Sequence, residues 1–414
     1  MFRKAQLENG IPVVMESFKN VHSVCLGIWV KVGSRYEAPE KNGISHFLEH
    51  MFFKATKRRT AQDIAIDSDS IGSDLNAFTS REQTTFYIKM IDAYLEEGIE
   101  LISDIFVNSL FPSEEIEKEK GVVIEEIKMV EDAPEDYIYD LLNRTVWGGA
   151  SLGQSVLGRP ESVNTLSRND LIAHVRKYYG VKDIVIACAG NFRPERLIQL
   201  LNGHFCGLRR GSEAKIGARP EFFHNAAVYQ KELLEAHICL GVPAPSQISD
   251  DRYALSVLNT ILGGGFSSRL FQDIRENRGL AYSIYSFASM YFDTGIWGVY
   301  AGVNQNNVRE VMHLIMNNMH AMKETLTEAE LDRAKRHLKG NLLLGLESTS
   351  SRMMNIARQE IFFNRYISSR EIMKSIDAVS LKQSRELAEQ LIRKELFSVA
   401  VYGNVPDTVL HEVF

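Results

Sequence analysis

HSVCLGIWV at residues 22–30 returns in the second half of the chain as AHICLGVPA at 236–244. Both runs are apolar and rich in β-branched residues, the composition of a strand buried in a sheet. Each is followed by a helical segment, a loop, a long strand and another helix. The shared order of elements predicts an α+β fold made of two duplicated, homologous domains, each an antiparallel or mixed sheet packed by helices. Between them the stretch CGLRRGSEAKIGARPEF (206–222) shifts to Gly and Arg with one Pro and reads as a linker. The expected division is therefore 1–208, a linker at 209–222, and 223–414.

Working outward through the first half, SVCLGIWVKVGS (23–34), TTFYIKMID (84–92) and DIVIACAG (183–190) read as strands, and AYLEEGIELISDIFVN (93–108) as a helix. Another helix opens at Ser113 after Pro112, with Glu114 and Glu115 in its first turn, where acidic residues are favoured. The N-terminal stretch MFRKAQLENGIPVVMESF reads as strand, Asn9-Gly10 turn, strand. It has no long apolar core, which argues against a signal peptide. No stretch approaches the roughly 18 uninterrupted apolar residues of a spanning helix.

With 45% apolar and 24% charged residues over 414 positions, the chain has the composition of a soluble globular protein. The four cysteines, Cys25, Cys188, Cys206 and Cys239, form no C-x-x-C pair, so neither a thiolate zinc knuckle nor a redox motif is expected. A reduced, cytoplasmic setting follows. The net charge of -6 argues against general nucleic-acid binding.

The chemistry gathers in GISHFLEHMFFK (43–54), where two histidines and a glutamate interrupt an apolar run. Buried polar groups need partners. On a helix His46 and His50 lie about 40° apart, with Glu49 about 60° to the other side of His46. Two imidazoles at i and i+4 clamp a metal such as zinc, and the carboxylate beside them can deprotonate water. This is the H-x-x-E-H order of the inverzincins.

Catalytic zinc usually takes three protein ligands, so one more is needed. In SEEIEKEKGVVIEEIKMVED (113–132), Ile116, Val123, Ile127 and Val130 define a core stripe. Glu119 and Glu126 stack about 60° and 80° to one side of Ile116, whereas Glu125 points away. Glu126 is then the candidate third ligand and Glu119 its supporting neighbour. Glu114, Glu115, Glu117 and Glu125 read as a solvated flank.

GISHFLEHMFFKAT, LNAFTSREQTTFY (75–87) and VVIEEI (122–127) together resemble the pitrilysin, insulysin and mitochondrial-processing-peptidase family of zinc peptidases. In that family the third ligand is a glutamate about 76 residues after the second histidine, which is Glu126 here. The resemblance gives Glu119 an assisting role. It extends to LGGGFSSRLFQDIRENRGLAYSIYS (262–286), similar to the family's C-terminal signature. There Arg275 and Tyr282 match an arginine and tyrosine that support the oxyanion. VLNTILGGG (257–265) stands where the second half would carry ligands and has none, so one zinc per chain is implied. Ser73 and Ala55 occupy positions where the family more often has glycine; neither is a ligand.

The resemblance implies a zinc metalloendopeptidase with Glu49 as general acid and base. Peptide would lie as an added strand beside Leu75 to Thr79, contacting Asn76, Ala77 and Phe78. It also implies two domains enclosing a chamber, and a homodimer or a heterodimer with an inactive sister chain. A non-catalytic scaffold or peptide-binding subunit of the same fold is the alternative. Peptides extended enough to add as a strand, presequence-like segments included, are the expected substrates.

Overall fold

The hairpin expected around Asn9-Gly10 forms, with β1 (Phe2–Gln6) reversing through Gly10, whose φ is 101°, into β2 (Pro12–Ser17). The computed structural model describes residues 1–211 and 213–411. Position 212 of the expected linker and positions 412–414 of the expected second half lie outside the described residues. β3 (Ser23–Val30), β4 (Asp74–Thr79), β5 (Thr84–Ile91) and β6 (Ile184–Gly190) complete a sheet in the order β1-β2-β6-β3-β5-β4. Its one parallel pairing is β2 with β6.

The second sheet consists of β7 (Ala226–Gln230), β8 (Ala236–Pro243), β9 (Ala281–Met290), β10 (Gly295–Val303) and β11 (Ser398–Gly403). Its order is β7-β11-β8-β10-β9, and again one pairing, β7 with β11, is parallel. Without β1, the first sheet repeats this pattern strand for strand. The duplication read from the two echoed runs is therefore a duplication of sheet topology. Those runs are β3 and β8, interior strands that are buried along almost their whole length.

The inner face of the first sheet packs on a core that includes Phe47 and Phe52 of the Ile44–Phe52 helix, Phe106 of the Leu95–Asn108 helix and Phe205 of the Pro194–Phe205 helix. Its outer face is covered by Met353, Ile356 and Ala357 of the Thr349–Phe363 helix, set against Val14, Cys25, Trp29 and Val185. The outer face of the second sheet is covered by the Pro134–Trp147 helix, whose Ile138, Leu142 and Trp147 pack with Cys239, Ile296 and Tyr300. Each sheet thus takes one covering helix from the other half of the sequence. The compact units are interleaved along the chain: one comprises Met1–Lys128, Gln154–Gly217 and Gly345–Tyr366, the other Met129–Gly153, Ala218–Leu344 and the residues from Ile367 onward.

The Leu-Gly step common to both echoes has a packing cause. A Cβ on Gly27 would stand 2.6 Å from Met353 Sδ, and one on Gly241 would stand 3.5 Å from Leu142 Cδ2. Both contacts are to the covering helix. Gly27 makes room for Met353 of the covering helix and for the Trp29 ring, whereas at Gly241 the close neighbour is Ile296 of β10, at 2.8 Å.

Candidate metal centre

Seven residues of the short Ile44–Phe52 helix are buried, His46 among them, so the helix is fixed in the core along most of its surface. The 19-residue Ser113–Glu131 helix lays Ile116, Glu119, Val123 and Ile127 into the same unit. The expected stripe is present except at Val130, which is half-buried near the helix end.

The two helices bring His46, His50 and Glu126 together, with one ligand atom from each within 4.8 Å of the others. His46 Nε2 and His50 Nε2 are 3.3 Å apart. Glu126 Oε2 lies 3.3 Å from His50 Nε2 and 3.6 Å from His46 Nε2. This oxygen is buried and has no aligned hydrogen-bond donor among the described residues. Three electron-pair donors converging on one point, one of them an orphaned carboxylate oxygen, fit a cation. Two imidazoles and one carboxylate are also the donor set of catalytic zinc, which keeps a fourth position open.

Glu119 is only 3% exposed. Its Oε1 lies 2.8 Å from His50 Nδ1, and its Oε2 lies 2.5 Å from Lys54 Nζ. A proton on Nδ1 shared with Glu119 leaves the Nε2 lone pair of a neutral His50 directed at the cluster, the arrangement that orients a ligating histidine. Burial works against a charge on His50, but Glu119 and Glu126 outweigh it and push the imidazole up to about 9. His46 moves the other way: burial and the neighbouring His50 push it down to about 4. The pair is therefore polarised, with His46 held neutral.

Glu49 shares the helix and faces β4, where its Oε2 accepts a hydrogen bond of 2.6 Å from Thr79 Oγ1. Burial raises its carboxyl above the ordinary value, and the Thr79 hydroxyl partly opposes the rise. A base with a raised pKa sits nearer the range useful at neutral pH. Asn76, Ala77 and Phe78 lie on β4, which is hydrogen-bonded to β5 on one side and forms the edge of its sheet on the other.

Arg275 and Tyr282 belong to the second unit. Arg275 lies in a π-helical segment, Phe271–Asn277, and its guanidinium stands 4.9 Å from the Phe271 ring centre and 5.8 Å from that of Tyr282. Asp273, two residues before Arg275, pairs with Arg278. The Arg252–Gly263 helix contains no His, Cys, Asp or Glu. Two contacts escaped the sequence reading, Lys54 on Glu119 and Thr79 on Glu49. Lys54 closes the quoted motif and Thr79 closes the quoted strand, but each meets a partner on another element, which local spacing does not show.

Residues 12–160 match the insulinase domain of peptidase family M16, and residues 165–338 match the domain described as the peptidase M16 inactive domain. The chain is 39% identical over 409 residues to the "uncharacterized zinc protease" YmxG of Bacillus subtilis, covering 98% of this chain and 100% of that protein. It is 33% identical to the beta subunit of the mouse mitochondrial-processing peptidase, covering 96% of this chain and 84% of that one. A solved protease from Helicobacter pylori has the same fold, with a TM-score of 0.91 at 23% identity over 97% of this chain and 99% of that one. With relatives of this identity over nearly its full length, the chain belongs to peptidase family M16, the insulinase family, whose members related to it are named as zinc proteases.

Proposed function

We propose that this chain is a zinc metalloendopeptidase acting on extended peptides, including presequence-like segments, with one zinc held by His46, His50 and Glu126. The convergence of those three side chains beside Glu49 is the observation that carries the reading. When bound, zinc supplies Lewis acidity, acidifying water and polarising a peptide carbonyl. Glu49 takes the proton of the attacking water and returns it to the leaving amine. Thr79 holds the Glu49 carboxylate in line through its hydroxyl. Glu119 keeps the His50 proton on Nδ1 and so keeps Nε2 free as a donor of electrons.

Substrate selection follows from β4. An edge strand offers unpaired main-chain groups, and a peptide adding there gains affinity from backbone hydrogen bonds, with Asn76, Ala77 and Phe78 supplying side-chain contacts. The same reading assigns Arg275 and Tyr282 to the oxyanion, residues 1–208 to the catalytic half and 223–414 to a half without metal. It also places the enzyme in the cytoplasm as a homodimer, with a heterodimer containing an inactive sister chain as the other assembly.

The test is to purify wild type and Glu49→Gln, measure bound zinc, and follow cleavage of a mixed peptide library by mass spectrometry. Glu49→Gln keeps its zinc and loses about 10²- to 10⁴-fold in kcat, the usual contribution of a general acid-base group. Arg275→Ala and Tyr282→Phe lower kcat with little change in zinc content. Equal cleavage by wild type and Glu49→Gln, or a wild type that neither binds zinc nor cleaves peptide, removes the assignment and leaves a peptide-binding scaffold.

A further inference from the structure

The helix that carries the metal motif begins without a cap of its own. Its N-cap residue is Gly43, with φ 95° and no side chain to accept from the first turn. An α-helix leaves its first amides unpaired, and a buried unpaired amide is costly. The missing acceptor comes from earlier in the connection between β3 and this helix. Glu37, only 7% exposed, places Oε2 at 2.7 Å from the Gly43 amide and 3.0 Å from Asn42 Nδ2, and Oε1 at 2.8 Å from the Ser45 amide.

We infer that Glu37 is a positioning residue, which caps the Ile44–Phe52 helix from outside and so fixes the direction in which His46 and Glu49 leave it. The inference rests on the zinc-peptidase reading of the site. Ser45, whose amide Glu37 holds, directly precedes His46, so movement at this end of the helix is passed straight to the first ligand. The negative carboxylate also meets the positive end of the helix dipole. Burial works against that charge and pushes the Glu37 carboxyl up to about 7, while the hydrogen bonds from Ser45, Gly43 and Asn42 favour the anion.

Nor can the helix start shift to find another acceptor. A Cβ on Gly43 would come within 2.7 Å of Leu157 O, and one on Gly158 within 2.5 Å of Asn42 O, so two backbones are in contact there. Asn42 is held besides, donating from Nδ2 to Ser155 O at 2.9 Å and accepting at its carbonyl from Ser162 Oγ at 2.7 Å.

The loop that carries Glu37 is tied to the substrate side of the site. Ser34 N donates to Ser80 O at 3.2 Å, and Arg35 N donates to Arg81 O at 2.8 Å. The buried Arg35 and Glu82 side chains pair at 2.7 Å. Residues 80–83 form the turn that leaves β4, the strand from which Thr79 reaches Glu49. The segment 34–37 therefore joins the β4–β5 turn, through Ser34 and Arg35, to the start of the Ile44–Phe52 helix, through the Glu37 carboxylate.

The experiment compares wild type, Glu37→Gln and Glu37→Ala by four readouts: hydrogen exchange of the Gly43 and Ser45 amides, zinc affinity by chelator competition, kcat and KM on one peptide, and the melting temperature. Glu37→Gln retains one acceptor oxygen and Glu37→Ala none, so the effects are graded. Both amides lose protection, zinc affinity falls about tenfold or more, and kcat per folded molecule falls by up to about 100-fold with KM nearly unchanged. Variants that fold and keep wild-type zinc affinity and kcat overturn the inference. So does a lowered melting temperature with unchanged kcat, or failure of both variants to fold, since either makes Glu37 purely structural. If wild type itself neither binds zinc nor cleaves peptide, the peptidase reading fails instead, and the exchange of the two amides still decides whether Glu37 caps the helix.

Discussion

At the level of single residues, His50 and Glu49 of the Ile44–Phe52 helix each meet a neighbour from outside that helix. His50 is oriented by Glu119, Glu119 is held by Lys54, and Glu49 is held by Thr79. His174 shows the opposite case, a buried titratable group without such support. It is 8% exposed, and its Nε2 has no hydrogen-bond partner among the described residues. Burial, aided by Lys177, pushes its imidazole down to about 3. The unfolded chain takes up the proton near the ordinary value while the folded chain resists it, so stability is intact above about pH 6.5 and falls as pH drops from there towards 3. His174→Phe removes this contribution and flattens the acid limb of urea-derived stability by up to about 1.4 kcal/mol per pH unit in that window. An acid limb identical to that of wild type would show that His174 is not a source of acid sensitivity. The candidate ligands were legible in the sequence because helix geometry fixes the relative directions of residues three, four and seven apart. Glu37 and Thr79 were not, because each reaches the site from a separate element.

At the level of elements, each glycine of the echoed Leu-Gly step has a packing neighbour that leaves no room for a side chain, the covering helix and Trp29 at Gly27 and Ile296 at Gly241. Gly27→Ala places a methyl group 2.6 Å from Met353 Sδ and 2.4 Å from the Trp29 ring, with the ring unable to give way as a flexible chain end would. Overpacking of this kind costs about 1–3 kcal/mol. Calorimetry should show a lower melting temperature, and Met353→Ala in the same chain should recover part of the loss. An unchanged melting temperature in Gly27→Ala would mean that the covering helix is loosely seated. The sequence displayed both glycines as a pattern. Their reason lay in residues such as Met353 and Ile296, far along the chain and beyond the reach of local periodicity.

At the level of the whole molecule, the exchange of covering helices makes the two sequence halves dependent on each other. Residues 1–208 alone lack the Thr349–Phe363 helix and leave Val14, Cys25, Trp29 and Val185 uncovered; residues 223–414 alone lack the Pro134–Trp147 helix and leave Cys239, Ile296 and Tyr300 uncovered. Uncovered apolar sheet faces of this kind drive aggregation. The fragments 1–208 and 223–414 should each be insoluble or molten when expressed alone and recover cooperative unfolding when co-expressed. Two separately folded, cooperatively melting fragments would contradict this.

The sequence by itself determined the class of fold, its duplication and the family, and it singled out the three side chains whose ligand atoms the structure brings within 4.8 Å of one another. These follow from short-range regularities: strand composition, helical spacing and the order of elements. Only the tertiary structure decided which helix covers which sheet, which acceptor meets the first amides of the Ile44–Phe52 helix, and where Glu119 and Thr79 meet His50 and Glu49. Those outcomes depend on long-range packing and on where each buried polar group finds its partner, and neither is written in any local stretch of the chain.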